Sequence, residues 1–303
     1  MRKPHRLYAG DTIGIVSPAA AVEEAKLKRG VAVLEKTGFS VRIGARALHR
    51  DRFFAGSDED RAAELIEMLR DPSIRAIFCS RAGYGSGRLV PLLAREGIKD
   101  ISKIFVGYSD ATALLNLFLQ ETGMVCFHGP VVAGEFASGP SEDSLSHLMG
   151  LLTVGQGLEH LPYPTTLRGG MGEGTLVGGC LSILTATLGT PFAFSPGKAI
   201  LFLEDVGEAP YRVDRMLTQL KQAGIFEELA GVVLGEMNGC QGKDEDPTLL
   251  LSVVSDIFAD YSYPVAFGLP AGHGPKNFTL PLGTRVRMDG ERKTLEFLET
   301  AVA

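Results

Sequence analysis

Ile104-Phe-Val-Gly-Tyr-Ser109-Asp-Ala-Thr-Ala-Leu-Leu115 reads as a buried strand, a tight corner and the first turns of a helix. The apolar run ends at Gly107, and a helix is expected from about Asp110. Ser109 therefore stands at a strand-to-helix corner, where its Oγ projects from the sheet edge and the next amides face it. The placement resembles a nucleophile elbow, although Gly-Tyr-Ser-Asp is not Gly-x-Ser-x-Gly. The helix N-terminus favours a developing oxyanion there. On local sequence alone a plain N-cap is the favoured reading of this serine, and only a base and an acid elsewhere in the chain raise the chemical reading above that one.

Working outward, the same strand–turn–helix unit recurs. Thr12–Ser17, Ala76–Ser80 and Met124–Phe127 are short apolar strands, and Ser40–Gly44 reads as a further strand. A helical period runs from Val22 to Thr37 and stops at Gly38, and Ser57-Asp-Glu-Asp60 resembles a capping box opening a helix through Arg70. Repeated units with apolar strands imply a parallel sheet covered by helices on both faces, a Rossmann/flavodoxin-like domain. Between about Gly134 and Gly172 the pattern loosens around one helix near Ser141 to Leu152. Beyond it come a strand at Ala199–Leu203, a helix from Tyr211 to Ala223, a strand at Gly231–Gly235, a helix from Pro247 to Ala259, and β-like alternation from Phe278 to Glu299. The expected organisation is an N-terminal α/β domain over residues 1–135, a connection over 136–172, and a smaller C-terminal mixed α/β domain over 173–303.

Composition narrows the functional classes. The chain has 303 residues, a hydrophobic share of 45% and a charged share of 22%, which fits a globular protein. A net charge of −6 argues against a nucleic-acid partner, which needs a concentrated basic surface. The basic stretch Lys26-Leu-Lys-Arg29 alternates with Glu23 and Glu24 at helical spacing and reads as a solvated face. Cys79, Cys126, Cys180 and Cys240 lack Cys-x-x-Cys spacing, so neither a metal site nor a redox motif is expected; buried thiols in a reducing, cytoplasmic compartment are. Asp11 and two glycines interrupt what would have to be an apolar signal core, and no run approaches ~20 apolar residues, so no membrane span is expected. No cofactor is expected either. The loop Ser80-Arg-Ala-Gly83-Tyr-Gly85-Ser-Gly87 has neither nucleotide-binding glycine order, and the second strand lacks the acid that would hold a ribose.

Of six histidines, His273 in Gly272-His-Gly-Pro-Lys-Asn277 has glycines on both sides, as an uncrowded, exposed base needs. His128, in Phe127-His-Gly-Pro130, reads as structural. Glu204, Asp205 and Glu208 follow an apolar strand, and any of the three could hold a histidine Nδ1–H. The glycine loop offers exposed amides that, beside the Ser109 corner, would complete an oxyanion hole.

Six motifs in order then match a known family: Arg81-Ala-Gly-Tyr-Gly, Gly107-Tyr-Ser-Asp-Ala-Thr-Ala-Leu, Phe127-His-Gly-Pro, Leu203-Glu-Asp-Val-Gly-Glu, Tyr211-Arg-Val-Asp-Arg-Met-Leu-Thr-Gln-Leu and Gly272-His-Gly-Pro-Lys-Asn277. From about Asp11 to Leu282 the chain resembles the L,D-carboxypeptidases of the muramoyltetrapeptide type (peptidase family S66). The resemblance implies a triad of Ser109, Glu204 and His273, and it selects Glu204 from its acidic neighbours. Oxyanion donors would be the amides of Gly83 and Asp110. It further implies a homodimer that removes the terminal D-alanine of a cytoplasmic murein tetrapeptide during peptidoglycan recycling. Ala82 stands where the family usually has a glycine. A branch of the same family cleaves aminoacyl-nucleotide antibiotics of the microcin C type and tends to stack the base on tryptophan, which this chain lacks. The alternative from another class is a non-catalytic α/β binding protein.

Overall fold

The Ser109 corner follows the fourth strand of a six-stranded sheet, in a computed structural model that describes residues 1–241, 246 and 248–303. The chain divides into two compact units. The first comprises Met1–Gly157, Thr279–Gly283 and Thr300–Ala303, and the second Leu158–Phe278 and Thr284–Glu299.

In the first unit the order is β1 (Thr12–Val16), α1 (Glu24–Lys36), β2 (Ser40–Ile43), α2 (Asp58–Arg70), β3 (Ile74–Cys79), α3 (Val90–Arg95), β4 (Ile104–Gly107), α4 (Thr112–Thr122), β5 (Cys126–His128) and α5 (Glu142–Thr153). Strands β1 to β5 are parallel in the order 2-1-3-4-5, the flavodoxin-like order, and the strand Leu280–Leu282 closes the edge antiparallel to β5. The central strands have no polar face to spare: Ile13, Ile15, Ile77, Phe78, Phe105 and Val106 are all buried, as a sheet covered on both sides requires. Helix α2 starts where the capping pattern places it, with the Asp60 amide donating to Ser57 Oγ at 3.1 Å. Helix α1 buries Leu27, Gly30 and Leu34. A Cβ on Gly30 would lie 1.8 Å from the Val132 carbonyl oxygen, so glycine is what lets the helix lie on the turn Val132–Phe136.

The second unit contains β6 (His160–Pro162), β7 (Thr165–Arg168), β8 (Met171–Cys180), α6 (Leu181–Thr187), β9 (Ala199–Val206), α7 (Pro210–Gln222), β10 (Gly231–Asn238), α8 (Leu249–Ile257) and β11 (Val265–Phe267). After β12, the closing strand Leu280–Leu282 of the first unit, the chain adds β13 (Arg285–Asp289) and β14 (Thr294–Phe297). Its eight-stranded sheet runs β6-β14-β13-β8-β9-β10-β11-β7. Strands β8 to β11 are parallel and the flanking strands antiparallel, a mixed α/β unit.

Two local readings change. The stretch before Gly172 is not merely loose: besides the expected helix, α5, it holds β6 and β7 and leads directly into β8. Strand β8 hides from a hydrophobic pattern because it carries four glycines; a Cβ on Gly178 would lie 1.9 Å from the Phe202 carbonyl oxygen. The strand expected to end at Leu203 continues through Glu204 to Val206. Pro247, placed by the sequence at a helix start, lies outside the described residues; α8 begins at Leu249. Among the described residues no helix is long and apolar enough to cross a membrane.

Candidate active site

Ser109 adopts φ +59° directly after extended Tyr108 (φ −153°, ψ −173°). A left-handed serine costs about 1–2 kcal/mol relative to an ordinary conformation, so the fold holds it there. Gly107 makes the corner possible, since a Cβ would sit 2.8 Å from Cys79 Sγ and 3.0 Å from Ala111 Cβ. Tyr108 is fastened from behind: its hydroxyl donates to Glu135 Oε1 at 2.5 Å, and its ring meets buried His128 edge-on at 5.8 Å. His128 is thus a wall residue of this corner.

Asp110 ties the serine corner to the glycine loop. Its buried carboxylate accepts the Ser86 amide at 2.8 Å and the Gly85 amide at 3.2 Å, while Ser86 Oγ donates to the Asp110 carbonyl. Burial pushes the Asp110 carboxyl up, opposed chiefly by these Ser86 and Gly85 hydrogen bonds. Buried Arg61 secures the same loop, donating to the Gly85 carbonyl at 3.0 Å and to the Pro18 carbonyl. Gly83 and Gly85 have φ of +117° and +137°. Ala82 is not among the residues with positive φ, so its methyl group imposes no backbone strain. Among the described residues the amides of Gly83 and Asp110 have no acceptor within the protein, whereas those of Gly85 and Ser86 are engaged.

In the second unit Glu204 and His273 come together. Glu204 is fully buried on β9, and its Oε2 lies 2.6 Å from His273 Nδ1. The same oxygen accepts the His273 backbone amide at 3.1 Å. Burial pushes the Glu204 carboxyl up, and the hydrogen bond to His273 opposes that push. Gly272 (φ +108°) is obligatory, because a Cβ there would lie 2.4 Å from Glu204 Oε2. The loop is locked by Asn277 Oδ1, which accepts the Gly272 amide at 3.0 Å, and by Asn238 Nδ2, which donates to the His273 carbonyl at 3.2 Å.

The competing acids are engaged elsewhere. Asp205 accepts the Ser182 amide at 2.7 Å at the start of α6 and its neighbour Val206 at 2.8 Å. Glu208 pairs with Arg212 at 3.5 Å. Among the described residues no group of three His, Cys, Asp or Glu side chains forms a metal-binding cluster. Sequence reading missed the anchoring by Asp110, Asn238 and Asn277; only the motif around His273 hinted at Asn277. Glu236 also escaped notice, although its carboxylate packs on Gly274 and burial pushes it up.

Residues 13–129 match the LD-carboxypeptidase N-terminal domain and residues 173–288 the LD-carboxypeptidase C-terminal domain. The chain is 35% identical to the probable murein peptide carboxypeptidase of Bacillus subtilis, over 96% of this chain and 93% of that protein. It is 32% identical to the murein tetrapeptide carboxypeptidase of Pseudomonas aeruginosa, over 92% and 94%. Among solved structures, muramoyltetrapeptide carboxypeptidase from Oxalobacter formigenes superposes with a TM-score of 0.83 at 31% identity, covering 94% and 97% of the two chains. The microcin C7 self-immunity protein MccF in complex with aspartyl sulfamoyl adenosine superposes with a TM-score of 0.89 at 26% identity over the whole of both chains.

Proposed function

This chain belongs to the LD-carboxypeptidase family, and from that premise we propose that it is a serine L,D-carboxypeptidase removing the terminal D-alanine of murein tetrapeptide. The observation that carries the reading is the 2.6 Å contact between a fully buried carboxylate and the Nδ1 of a glycine-flanked histidine. That contact leaves Nε2 as the ring nitrogen that exchanges protons.

In the proposed reaction His273 Nε2 takes the Ser109 proton as Oγ forms a bond to the scissile carbonyl carbon. Glu204 holds the imidazole tautomer and stabilises the imidazolium. The amides of Gly83 and Asp110 receive the oxyanion, each such donor lowering the barrier by roughly 3–4 kcal/mol. His273 then gives the proton to the leaving D-alanine nitrogen as the C–N bond breaks. Water, deprotonated by the same imidazole, hydrolyses the acyl-enzyme and restores Ser109. The mechanism uses no cofactor. We place the activity in cytoplasmic peptidoglycan recycling, by a homodimer.

The second reading is hydrolysis of aminoacyl-nucleotides, favoured by the full-length likeness to MccF. Absence of tryptophan removes the best stacking surface for a base, although Phe and Tyr can stack. Incubation with L-Ala-γ-D-Glu-meso-diaminopimelate-D-Ala and, separately, with an aminoacyl-nucleotide amide separates the two. Release of D-alanine by the wild type but not by Ser109→Ala supports the carboxypeptidase. Cleavage of the nucleotide alone supports the second reading.

A further inference from the structure

We propose that a cavity at the carboxyl ends of β1 and β3 is an anion subsite, taking a peptide carboxylate on the acyl side of the scissile bond through Arg81, Arg50 and Lys26. The inference rests on the peptidase reading above.

The cavity has a volume of about 320 Å³ and is lined by Ala21, Glu23, Lys26, Arg50, Arg81 and Ala133, all in the first unit. Topology explains why an opening lies there. In the order 2-1-3-4-5 the strand sequence reverses between β1 and β3, and helices leave in opposite directions, opening a crevice that open α/β sheets use for ligands. Arg81 is held across it, its Nη1 donating to the Ala21 carbonyl at 2.9 Å. Lys26 is shared with Glu23 at 3.2 Å. Among the described residues neither Arg81 nor Arg50 has a carboxylate partner. Glu23, the carboxylate that lines the crevice, is paired with Lys26, which leaves two guanidinium groups suited to a planar, bidentate anion such as a carboxylate.

Spacing indicates which carboxylate. Phe78 pairs with Val106, and Arg81 and Ser109 each lie three residues beyond that pair, just past the ends of neighbouring strands β3 and β4. The Arg81 head reaches away from β4, towards Ala21 after β1, which places it roughly two strand spacings, ~10 Å, from the serine. The carboxylate of the terminal D-alanine lies only one residue, ~3.6 Å, from the scissile carbonyl and falls short. The α-carboxylate of the γ-linked D-glutamate and the distal carboxylate of the diamino acid lie about six or seven bonds away, at about 7–9 Å. The subsite therefore reads one of these two and makes the anionic stem peptide the preferred substrate.

Calorimetric titration tests this with the full chain and the tripeptide L-Ala-γ-D-Glu-meso-diaminopimelate, alongside forms amidated at either carboxylate. Tetrapeptide turnover is measured in parallel. We expect one of the two amidations to weaken wild-type binding about tenfold or more. The exposed double substitution Lys26→Ala/Arg50→Ala should bind all three peptides alike without a lower melting temperature, and Arg50→Lys should keep part of the preference. Equal binding of all three by the wild type, a preference that survives the double substitution, or no binding of the tripeptide would overturn the subsite. A preference abolished by the double substitution, with no D-alanine released from any tetrapeptide, would support the subsite and refute the reaction.

Discussion

Glu204 Oε2 accepts two hydrogen bonds from one residue, the Nδ1–H of His273 at 2.6 Å and its backbone amide at 3.1 Å. Ring and main chain are therefore registered to the same oxygen, and the imidazole cannot rotate without giving up a bond to a buried acceptor. Gly272 is what allows the main chain so close. Orientation of the imidazole is built into the fold of the second unit.

This arrangement trades stability for chemistry. Burial raises the Glu204 carboxyl above its ordinary value, so the folded state holds the proton more tightly than the unfolded chain. Such a group contributes stability below the ordinary carboxylate range and loses it as pH rises through the raised folded value. At neutral pH the ionised side chain is a burden on folding. Glu204→Gln keeps an oxygen acceptor without that charge. We expect it to melt no lower than the wild type at pH 7, with the two curves converging towards pH 4. Its kcat should fall about 10³–10⁴-fold, as expected when an imidazole loses its anionic partner. Thermal melts across pH and D-alanine release check both halves.

The serine corner carries strain that can be read directly. At φ +59° a residue with a Cβ is disfavoured and glycine is not. Ser109→Gly should therefore exceed Ser109→Ala in unfolding free energy by about 1 kcal/mol, with both inactive. Urea titration of the two variants measures the difference. Equal stabilities would mean that the left-handed turn is not maintained in solution.

Two adjacent positions in the glycine loop separate tolerance from necessity. Ala82→Gly should cost only about 0.4–1 kcal/mol through unfolded-chain entropy and leave kcat within a few-fold, because Ala82 lies outside the positive-φ region. Gly83→Ala meets φ +117° and an Ala20 Cβ at 2.6 Å, so the loop has to move. We expect it to cost about 1–3 kcal/mol and to lower kcat about 10²-fold through a displaced oxyanion donor. Denaturant melts with steady-state kinetics on both variants check the contrast.

The sheet of the first unit was legible because its central strands are short, largely apolar runs, and α2 because Ser57 and Asp60 form a local capping signal. Strand β8 was not, since glycines at Gly172, Gly174, Gly178 and Gly179 remove the side chains that a pattern needs. The choice among Glu204, Asp205 and Glu208 could not be made locally. It depends on a loop 69 residues further on reaching back to β9, while Asp205 turns to the α6 amides and Glu208 to Arg212. Only the family motifs supplied that choice in advance. Lys26 has the sequence signature of a solvated helix face; that it borders a cavity with Arg50 and Arg81 depends on three segments meeting beside β1, which no one-dimensional spacing encodes.

The most direct test of the central claim, that Ser109 is a nucleophile activated by His273, is labelling with a fluorophosphonate followed by peptide mapping. We expect stoichiometric modification of Ser109 in the wild type, lost in His273→Ala while that variant keeps its melting temperature. Undiminished labelling in His273→Ala, or no labelling of Ser109 in an active wild-type enzyme, would contradict the assignment.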